Sequence, residues 1–229
     1  MINGLYDKFK KWSEGGSVYI ISDTHFDDED CKKMDKNWLP PEEQIAILKK
    51  TCHKNDTLIH LGDVGNVEWI KKLNCYKVLI MGNHDKGKAN YLRENIFIKE
   101  YDTIEDAEKD VRKGIIDYFT TGFHSPFICG YKNNKLFDEV YEGPLFISEK
   151  ILLSHEPIIG LEWCLNIHGH DHSGSYIDNR HVNMTANVCG YKPISLGEYI
   201  KSKGMSDIPS LHRIIINNAT ERKKKKQGR

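Results

Sequence analysis

The chain has 229 residues, 39% hydrophobic and 29% charged, with Lys+Arg and Asp+Glu balanced at 33 each. That length suits one domain with a sizeable core, and the balanced charge excludes a generally basic or acidic surface as a guide to partners. No apolar run approaches a membrane span, and the opening MINGLYDKFKKWSEGG has none of signal-peptide length, so a cytoplasmic location without a membrane partner is expected.

The six cysteines stand singly, without Cys-x-x-Cys pairs, and read as reduced core thiols rather than as a structural zinc site. Residues 1–218 are expected to form one domain. The end of the chain, 219–229, carries Lys223 to Lys226 and reads as a solvated, disordered tail rather than a nucleic-acid contact.

In chain order, short apolar runs alternate with helical patterns, the signature of strands joined by crossovers into a largely parallel sheet. Ser17 to Asp23 (SVYIISD) is the first predicted strand. Pro41 opens a helix in which Ile45, Leu48 and Cys52 recur at helical spacing. Asp56 to Asp63 is the second strand, a short helix spans Val67 to Leu73, and a third strand, Tyr76 to Met81, runs into Gly82-Asn83-His84-Asp85. Ile104, Ala107, Val111, Ile115 and Tyr118 mark an amphipathic helix. With the aromatic stretch Thr120 to Tyr131 it reads as an insertion over 101–143. The last third, including LFISEKILLSHEP, SYIDNRHVNMTANV and HRIIIN, suggests hairpins of a second sheet, with a helix from Leu196 to Lys201.

Polar clusters end these strands: Asp23-Thr24-His25, Gly62-Asp63, Asn83-His84-Asp85, Ser154-His155, and the run His168-Gly169-His170-Asp171-His172. Open α/β sheets gather ligands beyond the carboxyl ends of their strands. Mixed nitrogen and oxygen donors suit Mn²⁺, Fe²⁺, Ni²⁺ or Zn²⁺ better than Mg²⁺ or Ca²⁺. On extended backbone alternate side chains share a face, so Asp23 and His25 can reach one ion, and His170 and His172 can join them or straddle two. A lone histidine on a strand is more often a core residue than a ligand; five such clusters together are a different matter.

In their order, Asp-x-His, Gly-Asp, Gly-Asn-His-Asp, an isolated His and Gly-His-x-His resemble the calcineurin-like metallophosphoesterase superfamily, across Ile20 to His172. The VNMTANVCGYKPISL stretch resembles the end of small bacterial and phage members. The resemblance implies an α/β (α+β) fold, a two-sheet β-sandwich flanked by helices, with a metal pair at one end of the sheets. It implies Asp23, His25 and His172 on one divalent ion, Asn83, His155 and His170 on the other, and Asp63 bridging both. Manganese is the expected metal, with Fe, Ni, Co or Zn as alternatives. The Gly-His-x-His frame leaves His168, like His60 in the second strand, beside the ligands rather than among them.

Two ions about 4 Å apart can hold a hydroxide that attacks phosphorus while they neutralise the phosphate oxygens. His84 is then placed to stabilise or protonate the departing oxygen, and Asp85 either holds that imidazole or serves as a turn or cap residue. Phe123, His124, Phe127 and Tyr131 are candidates for a lid or substrate wall, against a plain packing cluster; Arg112 and Lys113 could touch a second phosphate. The expected activity is hydrolysis of a small phosphate ester or nucleotide, a phosphodiester in preference to a phosphomonoester, with nucleic acid unsupported. The alternative is a non-catalytic scaffold that keeps the fold. Residue patterns leave the oligomeric state open.

Overall fold

The computed structural model describes residues 16–92, 95–121, 127–133, 135–203, 205, 208 and 211–227. In chain order its elements are β1 (Val18–Ile21), α1 (Glu29–Met34), α2 (Pro41–Thr51), β2 (Thr57–His60), β3 (Tyr76–Ile80), β4 (Asn95–Tyr101), α3 (Ile104–Arg112), β5 (Tyr118–Thr121), β6 (Ile128–Asn133), β7 (Glu139–Tyr141), β8 (Leu145–Ser148), β9 (Ile151–Leu153), β10 (Leu165–His168), β11 (His181–Asn183), β12 (Ile194–Ser195), α4 (Leu196–Lys203) and α5 (Leu211–Gln227). Short 3-10 turns cover Val67–Lys72 and Lys88–Asn90.

A five-stranded sheet, β12-β1-β2-β3-β7, faces a four-stranded sheet, β11-β10-β9-β8. The strands β1, β2, β3 and β7 are parallel, and only β12 at the edge is antiparallel. Their side chains alternate between two cores, which is why the runs read as continuously apolar. Ile20, Ile59, Val78 and Ile80 pack with Ile147, Leu153, Leu165 and Ile167 of the second sheet. Ile21, Leu58 and Leu79 point the other way and bury against Cys31, Ile45 and Leu48 of α1 and α2. The α/β two-sheet sandwich flanked by helices, expected from the resemblance, is the architecture observed.

The second sheet is not built of hairpins alone. Only β8 and β9 pair as antiparallel neighbours, while β9, β10 and β11 run parallel, so two of its connections are crossovers. Between β3 and β7 stands a small three-stranded antiparallel sheet, β4-β6-β5, with α3. Its own core is Tyr101, Ala107 and Ile116, and it begins at Asn95, ahead of the expected boundary.

The segment HRIIIN, expected as a strand, lies in α5, and residues 219–227, expected as a disordered tail, continue that helix. Three consecutive isoleucines favoured a strand by β-propensity. The Ala, Glu, Arg and Lys residues that follow are good helix formers, and among the described strands none pairs with this segment. All six cysteines are free. Among the described residues no helix is long and apolar enough to cross a membrane.

Candidate metal centre

Each expected ligand stands in the turn after a strand. Asp23 and His25 follow β1, Asp63 follows β2, Asn83 follows β3, His155 follows β9, and His170 and His172 follow β10. Because β1 to β3 are parallel, and β9 and β10 are parallel, these turns lie at matching ends of their sheets. Backbone bonds fasten them together: Asp23 N–H donates to the Gly62 carbonyl (2.9 Å), His25 N–H to the Asp63 carbonyl (3.1 Å), and Gly169 N–H to the His155 carbonyl (2.8 Å).

The side chains gather into two adjoining groups, Asp23 with His25 and His172, and Asp63 with His155 and His170. In the first, Asp23 Oδ1 is 4.0 Å from His25 Nε2 and 3.6 Å from His172 Nε2. In the second, Asp63 Oδ2 is 3.3 Å from His155 Nε2, and Asn83 Oδ1 is 2.8 Å from His155 Nε2 and 3.1 Å from His170 Nδ1. Asp63 Oδ2 also lies 3.7 Å from His25 Nε2, so this carboxylate stands between the groups.

Hydrogen bonds on the far side of the rings decide which nitrogen faces inward. The Leu61 carbonyl can only accept, so His155 Nδ1 donates to it (2.9 Å) and Nε2 is turned toward Asp63 and Asn83. Asp28 does the same for His25 Nδ1 at 3.2 Å. Asn187 gives its amide N–H to the His172 carbonyl (3.0 Å), leaving its oxygen to accept from His172 Nδ1 (3.3 Å). Three imidazoles are thereby held with their Nε2 atoms toward the carboxylates, the orientation in which metal-binding histidines are fixed.

Two of the inward atoms, Asp23 Oδ1 and His25 Nε2, are buried with no hydrogen-bond partner. An orphaned buried acceptor costs about 1–3 kcal/mol or more. The loss is removed if a cation sits among these atoms, and the nitrogen-and-oxygen donor set fits a borderline divalent ion. The residues present therefore fit divalent metal binding.

The backbone is arranged for the same end. Asp23, His25, Asp63 and His170 occupy left-handed conformations, with φ of 53°, 39°, 55° and 65°. Such strain in non-glycine residues gathers at functional sites. Two neighbouring glycines permit the close packing: a Cβ on Gly82 would lie 2.3 Å from Asp63 Oδ1, and one on Gly169 would lie 2.2 Å from Asp23 Oδ2.

Electrostatics follow from burial and partners. Burial alone would raise the Asp63 carboxyl, but hydrogen bonds from His155 and from the His84 amide, with His25 nearby, hold it down at about 2. Burial pulls His25 below the usual histidine range against the attraction of Asp63 and Asp23. For His155 burial also acts downward, and Asp63 and Asp23 outweigh it, so its ring is raised.

His84 is exposed at the edge of the centre; its amide N–H donates to Asp63 Oδ1 at 2.8 Å, and its ring centre lies 5.6 Å from that of His25. Asp85 does not use its carboxylate to orient that ring. It accepts from Asp63 N–H (2.9 Å), Gly82 N–H (2.8 Å), Val64 N–H (3.1 Å) and the Tyr91 hydroxyl (3.1 Å), clamping the turns after β2 and β3 to each other. Four donors occupy both its oxygens, which favours the turn reading of this residue over the imidazole-holding one.

His60 is buried in a chain in which Gly62 N–H donates to its Nδ1, its Nε2 meets Thr24 Oγ1, and Thr24 donates to the Val64 carbonyl. Burial pushes its ring down to about 3. His168 is buried with Nδ1 2.8 Å from the Gly169 carbonyl and belongs to neither group. Arg112 is exposed on α3, 3.7 Å from Glu108, and no described contact brings it to the centre. Phe123 and His124 lie outside the described residues. Of the other candidates for a substrate wall, Tyr131 stacks on Tyr118 (5.4 Å) and meets Phe97 edge-on (6.1 Å), while Phe127 is exposed.

Sequence reading did not single out Asp28, Asn187 or Thr185, the last 3.5 Å from Asp23 Oδ2. Asp28 is legible in hindsight as one of the carboxylates in the DDED run after His25. A third geometric group, His25 with Asp28 and Cys31, shares His25 with the first. Burial, then the Asp28 and Asp23 carboxylates, push the Cys31 thiol up to about 12, which leaves it a neutral core side chain.

The calcineurin-like phosphoesterase family profile matches residues 16–189. A comparison with curated proteins returns no significant match. Among solved structures, a protein of unknown function from Aquifex aeolicus is similar in fold, with a TM-score of 0.51 and 24% identity over 82% of this chain and 99% of its own.

Proposed function

The chain belongs to the calcineurin-like phosphoesterase family, and from that premise we propose that it hydrolyses phosphodiesters at a centre of two divalent ions, manganese foremost. Its domain is a metal-dependent phosphoesterase domain with clusters of metal-binding type. The observation that carries the finer reading is the pair of adjoining donor groups with Asp63 between them and buried orphan atoms in the first.

In this reading Asp23, His25 and His172 would hold one ion and Asn83, His155 and His170 the other, with Asp63, which stands between the two groups, available to both. Bound divalent ions supply an activated water and neutralise charge on the phosphate. The protein's part is to fix the geometry. Asp28, Leu61 and Asn187 set the ring tautomers, and Asp85 locks the Asp63 and Asn83 turns in mutual register. His84, exposed beside His25, donates a proton to the leaving oxygen, a step worth about 10²–10⁴-fold in rate. A cavity of about 370 Å³ beside Asn83 and His155 leaves room for an ester arm of the substrate.

The test is hydrolysis of bis(p-nitrophenyl) phosphate and p-nitrophenyl phosphate after chelator stripping and reloading with Mn²⁺, Co²⁺, Ni²⁺ or Zn²⁺. Diester turnover that needs metal, and falls by about 10²-fold or more in His84→Ala with metal binding retained, is the expected result. Monoester preference moves the assignment to a phosphatase. Bound metal with no turnover of either ester or of nucleotides points to a non-catalytic scaffold.

A further inference from the structure

The cavity beside Asn83 and His155 has a chemical character of its own. Its walls include the apolar side chains Met81 and Ile158, and among the described residues the charged ones that line it, other than histidine, are Glu142 and Glu156. Both glutamates are exposed, and neither carboxylate has an ion-pair or hydrogen-bond partner among the described residues. The smaller cavity beside His25, of about 140 Å³, is also acid-rich: among the described residues Asp27, Asp28 and Glu29 line it, with Lys32 as the one lysine. Arg112, the candidate for a second phosphate, is beside Glu108 on α3 instead.

We propose, building on the phosphoesterase reading above, that this cavity seats the alcohol arm of the substrate and selects an arm that carries an amine over one that carries a further phosphate or carboxylate. A substrate phosphate held at Asn83 and His155 directs its ester arm into the adjoining space. Away from the metal centre, an anionic arm there meets two carboxylates and, among the described lining residues, no lysine or arginine, whereas an ammonium group meets complementary charge. The apolar wall accommodates the short carbon chain between the phosphate and the amine.

The experiment is calorimetric binding to the Mn²⁺-loaded protein of three phosphomonoesters of similar size: phosphoethanolamine, ethyl phosphate and phosphoglycolate, with inorganic phosphate as reference. Because the metals attract every phosphate, the readout is the affinity ratio of phosphoethanolamine to phosphoglycolate and how it changes in the Glu142→Gln/Glu156→Gln variant. Exposed carboxylates act over water, so the ratio is expected to fall about three- to tenfold in the variant and to shrink in high salt, with inorganic phosphate affinity little changed. A ratio unchanged by the double substitution, with inorganic phosphate still bound, overturns the assignment of the arm and leaves the metal centre standing. Failure of inorganic phosphate to bind the loaded wild type overturns both.

Discussion

Asp28 illustrates how much of the centre rests on residues that touch no ion. Its Oδ2 holds His25 Nδ1, and its Oδ1 caps α1 by accepting from Asp30 N–H at 3.0 Å. Asparagine caps a helix as well as aspartate does, so Asp28→Asn should leave stability within about 0.5 kcal/mol while removing the charge that strengthens His25 as a donor. Manganese affinity should fall about 10–100-fold, the usual cost of losing such a partner. Calorimetric titration with Mn²⁺ decides it, and unchanged affinity would mean that His25 does not bind metal. His60 offers the converse case, a histidine kept neutral. Its Nδ1 accepts from Gly62, so protonation breaks that bond as well as placing a charge in the core. With its ring held down at about 3 by burial, the folded state takes up this proton later than the unfolded chain does. Its contribution to stability is therefore complete above about pH 6.5 and is lost as pH falls toward 3, at about 1.4 kcal/mol per pH unit. In urea titrations of chelated protein between pH 6 and 5, His60→Gln should have a pH slope shallower than wild type by about that amount. Equal slopes would show that the ring is already protonated in the fold.

At the scale of elements, the legible parts are those whose local pattern and burial agree. The strands β1 to β3 are largely buried on both faces, so they read as mostly apolar runs, and the polar residues in the turns that follow them are the ones that gather at the centre. What the pattern did not carry was pairing. Nothing in Ile151–Leu153 or Leu165–His168 says that these strands run parallel, and the isoleucines of Leu211–Gln227 look like a strand until the helix formers behind them are weighed. The turns also contain information that a residue-type reading passes over. A Cβ on Gly82, before Asn83, would stand 2.3 Å from Asp63 Oδ1, 2.8 Å from the Asp63 backbone nitrogen and 2.8 Å from His155 Cε1, so Gly82→Ala must displace both Asp63 and His155. Manganese affinity should drop more than tenfold, whereas Gly143→Ala, which meets nothing within 4 Å, should bind as wild type does. Equal affinity of the two variants would show that Asp63 and His155 have slack that the geometry does not suggest.

At the scale of the molecule, the seven residues that the family resemblance implied as ligands each stand in the turn after a strand, and six of them fall into the two donor groups. Their partition into groups depends on how two sheets pack, since His172 of the second sheet joins Asp23 of the first across a separation that only the fold closes. That arrangement makes metal binding a clasp between the sheets, and it gives stability a metal-dependent part. A ligand at about 100 times its dissociation constant stabilises the fold by about 2.7 kcal/mol, and for a chain of this size each kcal/mol moves Tm by about 2–4 °C. Adding Mn²⁺ to stripped protein should thus raise Tm by about 5–11 °C if one ion binds, and by more if two do. The variants separate these cases. Asp23→Asn changes a donor of the first group alone, and an asparagine oxygen can still accept from His170 N–H as Asp23 Oδ2 does at 2.9 Å, so it should keep part of the shift, but Asp63→Ala removes the carboxylate that stands between both groups and should abolish nearly all of it. A full shift retained in Asp63→Ala, followed by differential scanning calorimetry over a range of Mn²⁺ concentrations, would place the stabilising ion outside this centre and undo the two-ion arrangement.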